Sequence, residues 1–226
     1  MCTRYISPDA AAIDRHWGVG RNKAWGGGEL QPRSHGAFIR ALRASHGVAA
    51  RELAVGQWGL IPWFARGTRL DYSAATARFE DITVKAAFRE PWRYGKRCVI
   101  PAQSFDAQSW ESGRTVWWRL RRSDGAPWGI AGVWSNWTDR SNGEQIASFT
   151  MLTVNADDHP LLRRMHRPDP RLPADRQDTR CLVSIEAADV DRWLCAPIDE
   201  AVKLVRLTPV SLMLAAPAAP IATSTI

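Results

Sequence analysis

The chain has no run approaching the roughly 20 apolar residues that a membrane-spanning helix needs. Its opening, Met1-Cys2-Thr3-Arg4-Tyr5, reaches Ser7-Pro8-Asp9 without the apolar core of a signal peptide, so a cytoplasmic location is expected. Cysteine is sparse. Cys2, Cys98, Cys181 and Cys195 lie far apart, and none belongs to the C-x-x-C pairs of zinc or thioredoxin-type redox sites. In a reducing compartment free thiols are expected. Cys98 and Cys181 sit in apolar runs and read as small core residues. Gly26-Gly27-Gly28 lacks the Gly-Lys-Ser/Thr ending and strand-to-helix context of a phosphate loop, which excludes that reading. No internal repeat and no motif for a metal or cofactor is found.

What is abundant is positive charge and tryptophan. Thirty Lys and Arg stand against 23 Asp and Glu, most of the cations are arginine, and the net charge is +7. Arginine's planar fork matches phosphate, so a polyanion is one natural partner; a solvated basic surface is the other reading. Twelve tryptophans could stack on unpaired bases beside those arginines, or fill the core.

At 226 residues, with 45% hydrophobic and 23% charged, the chain has the composition of an ordinary globular domain. Gly18–Ser34 reads as a surface loop. Strands are expected over Leu53–Pro62, Arg97–Pro101, Val116–Arg122, Trp128–Trp134, Phe149–Val154, Cys181–Ile185 and Lys203–Leu207, with a helix over Ile185–Leu194. Many short strands and few helices predict one α+β domain, residues 1–214, on a curved, barrel-like, mostly antiparallel sheet with a few flanking helices. The remainder, 215–226, reads as a disordered tail.

Cys2 has a chemical context of its own. A small second residue favours removal of Met1, which leaves a thiol and an α-amine on adjacent carbons. Such a 1,2-aminothiol closes a five-membered thiazolidine on an aldehyde. A free α-amine titrates near 7.7–8 and a thiol near about 8.5, so both are reactive close to neutrality. A cysteine at position 2 can equally be incidental.

Several segments combine in a definite order: Met1-Cys2-Thr3-Arg4, Trp58-Gly59-Leu60-Ile61-Pro62-Trp63-Phe64, Thr76-Ala77-Arg78-Phe79-Glu80, Phe88-Arg89, Arg97-Cys98-Val99-Ile100-Pro101-Ala102 and Arg164-Met165-His166-Arg167-Pro168. From Cys2 to about Leu194 this order resembles the SOS-response-associated peptidase (SRAP) family, abasic-site DNA–protein crosslinkers that include bacterial members and vertebrate HMCES-type proteins. The resemblance implies that mature Cys2 attacks the ring-opened aldehyde of an abasic deoxyribose in single-stranded DNA or at junctions with duplex. It implies no cofactor and no metal. It also implies a monomer, nucleoid-associated and without membrane contact.

The residues supply matching chemistry. Arg4 and Arg78 are candidates for the phosphates beside the lesion, or for surface salt bridges. Trp63 and Phe64 match positions that touch bases, with core packing the alternative, and Arg89 joins the DNA-binding set. His166 matches the family's active-site histidine, and an imidazole can move a proton during imine formation or reversal. His159 is its rival but stands outside the matching position.

Two departures stand out. Thr76 replaces the family's Asn, which helps hold the terminal Cys and the sugar, and counts here as a candidate catalytic residue. In Gln103-Ser104-Phe105-Asp106-Ala107, Ala107 stands where the family carries a glutamate that acts in acid–base steps. On an extended segment Asp106 points to the opposite face, and Glu111 lies four further on. The expectation is therefore slowed crosslinking or poor reversal. A non-covalent binder of single-stranded or damaged DNA stays open, as does a limited peptidase or self-processing activity using Cys2 and His166.

Overall fold

The computed structural model describes residues 4–20, 25–42 and 50–218. Two sheets organise them. The first runs in the order β12 (Met213–Pro217), β8 (Val116–Arg122), β7 (Ser104–Ser109), β1 (Arg4–Ser7), β2 (Gly28–Leu30), antiparallel throughout. The second contains β3 (His35–Leu42), β4 (Ala50–Trp58), β6 (Arg97–Ala102), β9 (Trp128–Thr138) and β10 (Gln145–Asn155). These five close into a barrel, because β10 pairs antiparallel with β9 on one edge and parallel with β4 on the other. Further along β10, β5 (Thr76–Arg78) and β11 (Arg180–Leu182) continue its two edges. Short helices α1 (Ala10–Trp17), α2 (Ala86–Arg93), α3 (Val190–Cys195) and α4 (Ile198–Val202) flank the sheets. This is the expected α+β, barrel-like, mostly antiparallel architecture. No helix is long and apolar enough to cross a membrane among the described residues.

Local chemistry explains the elements. In α1, Asp9 caps the start by accepting from the Ala12 N–H at 2.7 Å, and Gly18 ends it in the left-handed region at φ 61°. Its buried Ala10, Ile13 and Trp17 repeat every three to four residues. Every residue of β6 is buried, which is why Cys98-Val99-Ile100-Pro101-Ala102 reads as a continuous apolar run, and the buried Arg97 before it donates to the Trp193 and Ala196 carbonyls. Barrel closure needs close backbone approach at Gly132, where a Cβ would lie 2.4 Å from the Thr150 carbonyl oxygen. Alternate strand faces feed two clusters. Val99, Ala131 and Val133 pack with α1, α2 and α3, whereas Phe38, Trp58, Ile100 and Phe149 meet Tyr5, Phe105 and Leu120 of the other sheet. The tryptophans divide clearly: Trp63 is exposed, and the other eleven are buried or half-buried.

The structure corrects several sequence readings. Lys203–Leu207 is not a strand. The Leu204 and Val205 N–H groups donate to the Ala201 and Val202 carbonyls, so the segment opens as a turn that extends α4, and residues 205–207 pair with no strand among the described residues. Residues 215–217, read as tail, belong to β12, which pairs with β8 through Met213↔Arg122 to Pro217↔Trp118. The 18–34 loop contains β2. The Ile185–Leu194 helix starts later, as a 3-10 turn over Ala187–Asp189 followed by α3.

Candidate active site

Strand β7 lies between β1 and β8 and has two unlike faces. Phe105 and Ala107 line a cavity of about 340 Å³ with Arg78, Met165, His166, Asp169, Gln177, Asp178 and Arg180. Asp106, one residue from each, points the other way. It is 1% exposed and takes ion pairs from Arg4 and Arg119. Period-two alternation therefore leaves the cavity without a carboxylate from β7. Glu111 does not supply one either, because it is paired with Arg164 at 2.8 Å and that hydrogen bond lowers its pKa.

His166 enters from the loop after a 3-10 turn over Leu162–Arg164. Among the described residues its buried Nε2 has no hydrogen-bond partner, so it can take one from a group entering the cavity. Gln177 staples this loop: its Oε1 accepts from the Asp169 N–H at 2.7 Å, and its Nε2 donates to the Pro173 carbonyl at 2.7 Å. Asp169 stays ionised, held to about 2 first by the Arg171 side chain, then by the Arg171 N–H, with His166 adding a smaller electrostatic pull.

His159 is a structural residue. Its Nδ1 accepts from the Leu161 and Leu162 N–H groups at 3.2 and 3.1 Å, and Nε2 lies 2.9 Å from the Thr208 carbonyl, which makes it the donor nitrogen.

Arg78 is half-exposed at the cavity mouth and paired with Asp178. Asp178 also accepts from Arg180 at 2.9 Å. Arg180, almost wholly covered, further donates to the Thr153 carbonyl at 2.9 Å and to Glu80 at 2.5 Å. Burial raises the pKa of Glu80, but Arg180 and two backbone donors outweigh it and lower the value overall. Asp178 adopts φ 54°, a conformation that Asp tolerates better than most residues.

Thr76 and Arg78 sit on one side of β5. Both line an adjoining cleft of about 600 Å³ with Phe64, Tyr72, Lys85 and Phe88. Trp63 and Phe64, 56% and 43% exposed, meet edge to face at 5.7 Å beside it. Arg89 is exposed on α2 and lines neither space. Arg4, read as a phosphate ligand, is 4% exposed and committed to Asp106 and Glu29, so its guanidinium is not displayed to a strand of DNA. Cys2 lies outside the described residues. The other thiols are poor nucleophiles where buried: burial pushes Cys98 up and Cys181 to about 12.

The structure thus gathers Arg78, Ala107 and His166 in one cavity, with Thr76, Trp63 and Phe64 beside it. Sequence reading missed Asp169, Gln177, Asp178 and Arg180, because no local spacing ties them to the motifs. It also missed Tyr72 and Lys85, which carry no signal beyond their type.

The chain as a whole is similar to known proteins. The family model for SOS response associated peptidase (SRAP) matches residues 1–218. The abasic site processing protein YoaM of Bacillus subtilis is 33% identical over 103 residues, 45% of this chain and 44% of that protein. The abasic site processing protein HMCES of Gallus gallus is 25% identical over 181 residues, 66% of this chain and 48% of that protein. The chain spans about half the length of these curated relatives. A crystal structure of a protein from Bordetella bronchiseptica aligns at a TM-score of 0.84 and 32% identity, covering 97% of this chain and 100% of that one.

Proposed function

The chain belongs to the SRAP family, and we propose that it processes abasic sites in single-stranded DNA by covalent capture through Cys2. The observation that carries the reading is a juxtaposition. Arg4 on β1 pairs with Asp106, next to the cavity-lining Ala107. Cys2 is two residues from Arg4 along the chain, and two residues of chain span at most about 7 Å.

The chemistry balances as a condensation. The neutral α-amine adds to the lesion's aldehyde carbon, and the adduct loses water to give an imine. The Cys2 sulfur then adds to the imine carbon, its proton passes to the nitrogen, and a thiazolidine closes. Relative to the starting pair, one water has left. His166, whose Nε2 has no partner among the described residues, shuttles these protons. Arg78 exchanges Asp178 for a phosphate flanking the lesion, a half-exposed pair being worth only about 0–1 kcal/mol. Trp63 and Phe64 offer stacking faces to neighbouring bases.

Intact mass spectrometry first establishes whether Met1 has left. Incubation with a glycosylase-treated uracil oligonucleotide, followed by a denaturing gel, then reads the linkage. A shifted band is expected for the wild type and none for Cys2→Ala. An equally strong band in Cys2→Ala removes Cys2 from the mechanism.

A second reading, non-covalent binding of damaged single strands, is favoured by one feature: no β7 carboxylate reaches the cavity. Salt-sensitive binding without any shifted band, from protein lacking Met1, is its signature.

A further inference from the structure

Three side chains from three neighbouring strands lie in one cross-strand row. Arg4 on β1 stands opposite Asp106 on β7, and Asp106 stands opposite Arg119 on β8. The central carboxylate is 1% exposed. It accepts from Arg4 through Nε and Nη2, and from Arg119 through Nε at 2.9 Å and Nη2 at 3.1 Å. Glu29 on β2 lies 3.6 Å from Arg4 and extends the alternation of charge to a fourth strand. Trp117 covers the Arg4 guanidinium at 5.7 Å. Surface strands gain little from isolated ion pairs. A buried carboxylate gripped by two guanidinium forks is different: it holds direction as well as charge.

We propose that Asp106 is a positioning residue, which fixes β1 by its Arg4 and so sets where Cys2 can reach relative to His166 and Arg78. This rests on the covalent-capture reading above. The geometry assigns the two faces of β7 separate tasks, with Ala107 opening the cavity and Asp106 anchoring the strand that delivers the nucleophile. The described part of β1 runs from Arg4 to Ser7, and the anchor sits on Arg4, two residues along the chain from Cys2.

Asp106→Asn tests this, since it keeps volume and one acceptor oxygen but removes the charge and turns an N–H₂ toward a guanidinium. At saturating abasic single strand, the crosslinking rate should fall by about tenfold or more, because a misplacement of roughly 1 Å costs up to about 10²-fold. Two readouts should stay within about twofold of wild type, because neither needs Cys2 aligned with the lesion. One is affinity for a strand bearing a tetrahydrofuran analogue, which has no aldehyde. The other is the rate at which Cys2 condenses with free glyoxylate. Amide exchange should rise across residues 4–7 and stay unchanged across β3. Arg119→Gln, which leaves the Arg4–Asp106 pair in place, should move the same readouts the same way by less, and serves if Asp106→Asn does not fold. Wild-type crosslinking together with wild-type β1 protection would overturn the proposal. So would parallel loss of the glyoxylate reaction. If wild-type protein forms no crosslink, the capture reading fails, while unchanged β1 exchange in the variant would still sink the anchor.

Discussion

The two faces of β7 show how one strand can carry opposite designs. Behind it, Asp106 is buried and saturated, with four donor contacts from two arginines. In front, Ala107 offers only a methyl group to a cavity whose histidine has an Nε2 unpartnered among the described residues. The two histidines repeat the contrast. His159 has both ring nitrogens engaged by backbone, whereas His166 keeps one in reserve. Full satisfaction serves stability, because every unmade bond in the interior costs free energy. An unsatisfied group in a cavity can take its partner from a ligand or from water.

The contrast can be broken from either side. Asp106→Ala should have the largest effect, a loss of about 3 kcal/mol in urea unfolding. That is the low end for orphaning a buried pair, because Arg119 is partly exposed. A loss below about 1 kcal/mol would mean the cluster is solvated in solution.

Next, the two histidines should separate. His166→Ala should slow crosslinking by about 10²-fold, some 2.7 kcal/mol on the barrier, with an unchanged melting temperature. His159→Ala should lower stability by about 2 kcal/mol and spare the rate while folded. Rates that fall equally in both would erase the distinction.

Ala107→Glu puts a carboxylate on the cavity face and should speed crosslink formation or reversal by about tenfold, roughly 1.4 kcal/mol. Adding Thr76→Asn should exceed either single change, since both groups would act on the same adduct and so couple. No change in a folded double variant would point to Asp169 or Asp178, the carboxylates already lining the cavity, as the existing proton carriers.

The smallest effect is expected from Arg78→Ala. Titrating binding against salt should flatten the log–log slope by about 0.7, the value of one single-strand phosphate. Affinity should drop only modestly, because Arg78 must first leave Asp178. An unaltered slope would make Arg78 a partner of Asp178 and nothing more.

Much of this contrast was legible before folding. β8 matches its predicted bounds, and the apolar runs around Cys98, Trp128 and Phe149 mark barrel strands that are buried or nearly so. Alternation alone put Asp106 and Ala107 on opposite faces, because the side-chain period of a strand is a local property of the backbone. α1 was also readable from its Asp9 cap, its Gly18 stop and its apolar spacing, yet it was passed over, as was β3. Lys203–Leu207 shows the limit of composition, since the first amides of a β-like run found local acceptors in a turn and the rest joined no strand among the described residues.

By itself, the amino-acid sequence determined the family, the barrel-like α+β class, the missing carboxylate and the direction Asp106 faces. Each depends on motif order or on the spacing of near neighbours. Only the tertiary structure decided that Arg4 is an anchor and not a phosphate ligand, and that His159 is saturated while His166 is open. It alone joined Arg78, Asp178 and Arg180 into one chain of charges at the cavity. Those outcomes depend on which strands become neighbours. Arg4 and Asp106 are 102 residues apart in the chain, and no local pattern encodes a contact that only sheet closure brings within hydrogen-bonding distance.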